Sequence, residues 1–488
     1  MVKLLTNHRY IDEAGSVIRI FFPGVKIVTD AGVSEPDLYK VVRHAGEASG
    51  SPQFTVISLL GDKEAYAEVL CGGDVKSGYA WPYEKTDGFL TLSRMLMLSL
   101  FFALQKVKPT NTPWGALTGI RPTKLVRQWL DAGIHENEAV IFLQDPYQVT
   151  EEKAKLALQV ALTENRIRDV IYALGEKTAG FYINIPFCPT RCHYCSFTCV
   201  EKPPTEGFLE VYVNALVGEI REKLGEICRG GYTVSSIYIG GGTPTILTEG
   251  LLCKILTSLE DVLHGGLEFT VEGGRPDSVT EEKLKILKGH GVKRFSVNPQ
   301  TLKDETLERI GRRHTVKDFY EAFALAKKIG FRCISSDIIA GLPGENMQDM
   351  ENTVNGLLKL IPENITVHNL AIKRASKLKT RHQPMMEEGN MQTSRSMLAL
   401  SLELLKNAGY VPYYLYRQKD MLGFGENVGY SMDGFWCLYN VGMMSEVQTV
   451  FGAGAGAVTK YVAGDRITRK FNVKSPELYV TKMGKNTI

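Results

Sequence analysis

The sequence lacks any stretch that could cross a bilayer. Its longest strongly apolar run, Met95 to Leu104, falls far short of the ~20 residues a spanning helix needs and reads as a buried helix. No export signal is expected either, because Asp12 and Glu13 stand where such a signal needs an apolar core. A cytoplasmic protein with no membrane partner is therefore expected. Charge of one sign is scarce: 57 Lys and Arg against 54 Asp and Glu leave a net charge of +3, too little for a protein dedicated to nucleic-acid backbones. Nucleic acid is not an expected partner. Nine cysteines over 488 residues are too few for a disulfide scaffold, so a cluster among them points to metal or redox chemistry. Solenoid periods and low-complexity tracts are absent.

What is present is an ordinary globular composition, 44% hydrophobic and 23% charged, on a chain long enough for about three units. The expected units are an N-terminal α+β and helical accessory domain over 1–175, a strand–helix domain over 176–375 and a C-terminal substrate-cap subdomain over 376–488. In the first, SVIRIFFPG (16–24), QFTVISLL and EAYAEVL read as strands, the last two joined by a turn at Gly61-Asp62-Lys63. Helical periodicity covers Thr86 to Val107, Pro122 to Gly133 and Thr150 to Leu174. WGALTGIRPTK (114–124) lies between helices, with Arg121, Lys124 and Arg127 as a local basic cluster.

From 180 to 373, six short β-rich runs alternate with helices and no hairpin signal intervenes. Right-handed crossovers then give a parallel sheet, and curling it gives a partial (β/α)6 barrel of the α/β class. Ligands of such sheets sit at the carboxyl ends of the strands. Directly after the first strand comes FYINIPFCPTRCHYCSFTC (181–199), in which Cys188, Cys192 and Cys195 have the spacing C-x3-C-x2-C. Three thiolates on one tight loop can hold three irons of a [4Fe-4S] cube and leave the fourth iron open to a chelating small molecule. Cys199 keeps a structural zinc site open as an alternative.

The second strand ends in Gly240-Gly241-Gly242-Thr243-Pro244-Thr245, where glycines let a backbone approach a ligand closely. The third ends at Glu272, the fourth delivers Gln300 and then Arg312, and the fifth carries Asp337, an acid whose place in an apolar strand is costly unless partnered.

The C-x3-C-x2-C loop after the first strand resembles the radical S-adenosylmethionine (SAM) superfamily. YINIPFC and GGGTPT are similar to the oxygen-independent coproporphyrinogen III oxidases and their relatives, which include heme chaperones. With WGALTGIRPTK upstream and ENVGY downstream, the whole chain resembles their coproporphyrinogen dehydrogenase (HemZ) subgroup. The resemblance implies a [4Fe-4S] cluster on Cys188, Cys192 and Cys195. It also implies SAM contacts at Tyr182, Tyr194, Gly241, Gly242, Thr243, Glu272, Gln300, Arg312, Asp337, Ala371 and Val458, with Tyr182 and Asn184 near the reacting atoms. The reaction it implies is oxidative decarboxylation of two propionates of coproporphyrinogen III, giving protoporphyrinogen IX. A reductant such as flavodoxin or ferredoxin would supply electrons.

Three positions depart from the oxidase pattern: Asn184 replaces a histidine, Phe197 replaces a cysteine, and Arg417 stands where relatives tend to have a glutamate. The substrate side is where these fall. A relative acting on another tetrapyrrole, a heme chaperone that keeps the cluster without turnover, and RNA modification through Arg121, Lys124 and Arg127 are the other readings. Arg275, Arg312, Arg313, Arg417 and Lys419 are the candidate cations for an anionic tetrapyrrole.

Overall fold

A computed structural model describes residues 1–31, 54–72, 74–84, 90–119, 121–195, 205–263, 266–373, 376–378, 387–464 and 466–485. It contains two compact units, the first mainly Met1–Pro122 and Trp129–Leu158, the second mainly Thr123–Gln128, Gln159–Arg381 and Glu388–Ile488.

The first unit holds a five-stranded sheet in which β1 (Val2–Thr6) lies parallel to β2 (Ile27–Ala31) and β3 (Phe54–Leu60), and β4 (Glu64–Cys71) and β5 (Asp74–Pro82) continue it antiparallel. The β3–β4 hairpin turns at Gly61-Asp62-Lys63, as its sequence predicts. SVIRIFFPG does not form the strand expected of it: α1 spans Ile11–Phe21. Ala14, Val17, Ile18 and Phe21 are buried at helical spacing, with Asp12 and Glu13 in the first turn. A short apolar run rich in β-branched residues satisfies both periods, and the packing of α1 against α2 (Leu92–Val107) decides for helix. α3 (Pro122–Asp131), α4 (Glu136–Gln144) and α5 (Glu151–Ala173) follow.

The second unit is built on an eleven-stranded sheet. Six parallel strands run in order: β6 (Thr178–Ile185), β7 (Thr233–Gly241), β8 (Glu268–Gly274), β9 (Arg294–Val297), β10 (Cys333–Ala340) and β11 (Asn364–Asn369). Helices α6 (Glu206–Arg229), α7 (Glu249–Thr257), α8 (Glu281–Gly289), α9 (Asp304–Arg309), α10 (Val316–Ile329) and α11 (Met347–Leu360) alternate with them. Local chemistry marks their ends. Thr315 with Asp318 and Asn346 with Asp349 form capping boxes, and Gly330 closes α10 at φ +81°.

Parallel strands buried on both faces usually read as near-continuous apolar runs. These alternate instead. Phe181, Ile183, Ile237, Ile239, Phe269, Val271, Phe295, Val297, Ile365 and Val367 are buried, while Tyr238, Thr270, Glu272, Arg294, Ser296, Asp337, Thr366 and His368 line a cavity. A two-residue period in a parallel sheet therefore marks a polar interior.

α12 spans Glu388–Asn407. Beyond it, five strands follow. β12 (Val411–Tyr416) and β13 (Asn427–Ser431) extend the sheet antiparallel past β11. β14 (Thr449–Ala453) pairs parallel with β6 and leads to β15 (Val458–Ala463) and β16 (Arg466–Phe471). Residues after 410 thus extend the barrel sheet at both edges. α13 (Leu438–Met444) and α14 (Pro476–Lys485) complete the chain. Among the described residues no helix is long and apolar enough to cross a membrane.

Candidate functional site

The carboxyl ends of β6 to β11 surround a cavity of about 480 Å3. Cys188, Cys192, Tyr194, Cys195, Gly241, Gly242, Thr243, Glu272, Gln300, Arg312, Asp337 and Ala371, spread over 184 positions of sequence, all line it. The cysteine loop leaves β6 and is held by its neighbours. Thr243 Oγ1 donates to Cys188 Sγ at 3.5 Å, Arg275 Nη1 donates to Thr190 Oγ1 at 2.7 Å and to Cys192 Sγ at 3.9 Å, and the His193 amide donates to the Ile310 carbonyl at 2.8 Å. Asp277 holds Arg275 through two bonds, at 2.9 and 2.7 Å. Phe197 and Cys199 lie outside the described residues.

The glycine run has a packing reason as well as a ligand-facing one. A Cβ on Gly242 would stand 2.4 Å from the Phe187 carbonyl, and one on Gly241 would overlap Asn184 at a φ of +108°. The amides of Gly242 and Thr243 donate to Ile185 and Phe187 carbonyls at 2.8 and 2.7 Å. The turn after β7 is therefore a seat for the cysteine loop, and its glycines let the two backbones meet.

Gln300 sits just past β9 with φ +71°, left-handed for a non-glycine residue. Backbone bonds at both its amide and carbonyl, to Asp337 and Ile339, hold it there. Strain of this kind persists where the surroundings over-determine it, commonly at ligand sites. Its Oε1 is buried and has no protein partner.

Burial pushes the Glu272 carboxyl up to about 7, with the Asp337 charge acting in the same direction and bonds from Tyr238 and the Gly241 amide opposing it. Tyr238 donates to Glu272 Oε1 at 2.5 Å and the Gly241 amide to Oε2 at 3.2 Å. Asp337 lies 3.6 Å from His368 Nε2. The strand acid is half-buried and opens onto the cavity, with the imidazole beside it.

A second cavity of about 390 Å3 shares Tyr238, Gly241, Glu272, Asn440 and Met444 with the first. Tyr182, Asn184 and Val458 line this one, beside Tyr439 and Met443. Tyr182, Tyr238 and Tyr439 stack on one another with centroids 4.5–6.2 Å apart. Tyr182 donates to Asn184 Oδ1 at 3.0 Å, and Asn184 Nδ2 donates to the Ala455 carbonyl at 2.5 Å. Asn184 therefore ties Tyr182 to the loop before β15.

With this geometry in view, comparison with known proteins is decisive. The chain is 39% identical over 373 residues to the oxygen-independent coproporphyrinogen-III oxidase-like protein HemZ of Bacillus subtilis (strain 168), covering 75% of this chain and 74% of that protein. It belongs to the radical SAM superfamily, in the coproporphyrinogen-III-oxidase-like family. The Radical SAM superfamily profile itself matches residues 182–357. The heme chaperone HemW of the same bacterium is 34% identical over 309 residues, 61% of this chain and 74% of that protein. In fold, the chain is similar to the coproporphyrinogen III oxidase HemN of Escherichia coli, at a TM-score of 0.50 and 20% identity, covering 66% of this chain and 72% of that one.

Radical SAM proteins work with a [4Fe-4S] cluster and SAM, and the larger cavity fits such a pair. Among the described residues no three ligating side chains converge as one mononuclear ion requires. A four-iron cube takes one thiolate at each of three corners and does not need them to. Thr270 Oγ1, Ser296 Oγ, Gln300 Oε1 and Arg312 Nε and Nη1 are buried without protein partners and belong to residues lining the cavity. Buried donors and acceptors are rarely left so, and a ligand carrying carboxylate, ammonium and hydroxyl groups satisfies both kinds.

Among the candidate cations, Arg275 and Arg312 line the cavity, whereas Arg417 is buried and donates to the carbonyls of Gly425 and Phe424. Arg313 and Lys419 are exposed. Lys373 lines the cavity and was not singled out from sequence. Tyr238 and Tyr439 were missed as well. Tyr238 has a local signal, a large polar aromatic two residues before the glycine run. Tyr439 has none, since its place depends on α13 reaching the barrel.

Proposed function

We propose that this chain is a radical SAM oxidoreductase of porphyrin biosynthesis that decarboxylates coproporphyrinogen III oxidatively to protoporphyrinogen IX. Cys188, Cys192 and Cys195 hold the cluster. Gly241, Gly242, Thr243, Glu272, Gln300, Arg312, Asp337 and Ala371 hold SAM in the larger cavity, with Tyr194 beside it, and Tyr182 and Val458, which line the smaller cavity, are its further proposed contacts. When bound, this pair supplies one electron and a carbon-centred radical able to remove a hydrogen atom. Each propionate gives up a β-hydrogen atom, carbon dioxide and one electron to an acceptor, leaving a vinyl group.

The chain's own residues bind, orient and exclude water. Arg312 supplies two unbonded guanidinium nitrogens, Nε and Nη1, for a carboxylate, Glu272 and Asp337 supply acceptors for ammonium or ribose hydroxyls, and Asn184 fixes the Tyr182 ring. The smaller cavity, walled by three tyrosines and two methionines, suits the flat edge of a pyrrole, and Lys373, which lines the larger cavity, suits a carboxylate there. The observation that carries the reading is the convergence of the cysteine loop and the unpartnered polar atoms on one cavity. A cytoplasmic flavodoxin or ferredoxin is the proposed reductant.

The test is an anaerobic assay of the reconstituted protein with dithionite, SAM and coproporphyrinogen III, following 5'-deoxyadenosine and porphyrin together, with Cys192→Ala as control. Protoporphyrin formation that the control lacks supports the reading. Cofactor cleavage without porphyrin turnover would sink the substrate assignment. The likeness to a heme chaperone favours one second reading, in which heme is retained and no cofactor is cleaved.

A further inference from the structure

The basic cluster at 121–127 is not uniformly solvated, since Lys124 is partly exposed and Arg127 is buried. Arg127 is buried and divides its guanidinium: Nη1 lies 3.4 Å from Glu164 Oε2, and Nη2 donates to the Ser445 carbonyl at 2.8 Å. Glu164 is 1% exposed and also accepts from Thr123 Oγ1 at 3.4 Å. Lys124, on the same face of α3, lies 3.4 Å from Glu446 Oε2, and Arg469 lies 3.3 Å from Glu446 Oε1. Glu446 is buried at φ +54°. Lys460, buried too, donates to the Met443 carbonyl at 2.6 Å.

These contacts converge on residues 443–446, the carboxyl end of α13. The last carbonyls of a helix have no partner within it and carry the negative end of its dipole. Arg127 and Lys460 meet that end. At the other end the Glu268 carboxylate accepts from the Leu438 and Tyr439 amides at 2.8 and 3.1 Å. A helix of seven residues has little stability of its own. Its position depends on these clamps, and it supplies Tyr439, Asn440, Met443 and Met444 to the smaller cavity.

We propose that Arg127 and Glu164 are positioning residues, which hold α13 in register so that Tyr439 and the two methionines keep the substrate edge against the cofactor. This rests on the reading of the smaller cavity given above. It assigns the RPTKLVR segment to coupling between cofactor cleavage and product, and takes it away from phosphate binding.

The test uses the reconstituted full chain carrying Arg127→Met with Glu164→Leu, because removing a buried pair together is tolerated better than stranding one partner. Amide exchange in 438–446 is expected to rise about tenfold while β6 exchange holds, as expected for one lost charge-assisted cap. Iron content and 5'-deoxyadenosine formation should hold, KM for coproporphyrinogen should rise, and porphyrin formed per 5'-deoxyadenosine should fall about tenfold. Arg127→Lys should recover part of that ratio. Unchanged exchange in 438–446, an unchanged ratio, or iron and cleavage falling in step with product overturns the proposal. Should the double variant not fold, Lys124→Met decides, with a rise of about twofold in the same exchange expected. If the wild type leaves coproporphyrinogen unchanged, the proposed function fails and the exchange data alone decide this inference.

Discussion

The two cavities share a wall yet differ in charge, one gathering many charged side chains and the other only one. The larger one carries four cysteines, three arginines, a lysine, a histidine, two acids and several hydroxyls among its tyrosines, and the smaller one carries three tyrosine rings, two thioethers and small residues around a single acid, Glu272. Charged and polar linings bind groups that need many hydrogen bonds, whereas aromatic and thioether linings bind flat apolar surface. Under the proposed function, the difference would separate a cofactor half from a substrate half. The wall between them, Tyr238 bonded to Glu272 beside Gly241, is where the two halves would meet.

Variants that strike one half alone sharpen that comparison. The largest effect is expected from Cys188→Ala, which should drop iron, sulfide and 5'-deoxyadenosine formation to background while the chain stays folded. Retained iron on anaerobic metal analysis would break the assignment of the cysteine loop. Arg312→Met comes next. Removing a buried charged donor that a carboxylate would meet should weaken SAM binding about 30-fold with iron content intact, as equilibrium dialysis would show.

Tyr439→Leu tests the other half. It should lower porphyrin formed per 5'-deoxyadenosine about fivefold and leave SAM affinity alone, in keeping with the worth of one aromatic contact. Weakened SAM binding in that variant would merge the two cavities into one site. The smallest effect is a pH dependence. With the Glu272 carboxyl raised to about 7 by burial, its ionised fraction grows as pH rises through that value, and a cationic or hydroxyl-bearing ligand prefers the ionised form. SAM affinity should therefore rise about fourfold between about pH 6.5 and 8 and become flat in Glu272→Gln.

The parts legible in the sequence are those fixed by short-range chemistry. The six strands β6 to β11 and the helices between them agree with the alternation expected over 180–373, because capping residues and glycines punctuate the chain locally. Cys188, Cys192 and Cys195 could be grouped because their spacing lies on one loop. α1 was misread because its apolar run fits two periods and only its packing chooses between them. The two basic residues Lys124 and Arg127 were visible, but their partners Glu164, Ser445 and Glu446 lie up to 322 positions away.

By itself, then, the sequence determined the alternation of strands and helices, the thiol loop after the first barrel strand and the polar residues at strand ends, since each is written in neighbouring residues. Only the tertiary structure decided that β14 closes against β6, that Tyr238 meets Glu272, and that α13 stands between two cavities under clamps from distant cations. Those contacts join segments whose mutual placement comes from the folded sheet, and no local period in the chain encodes them.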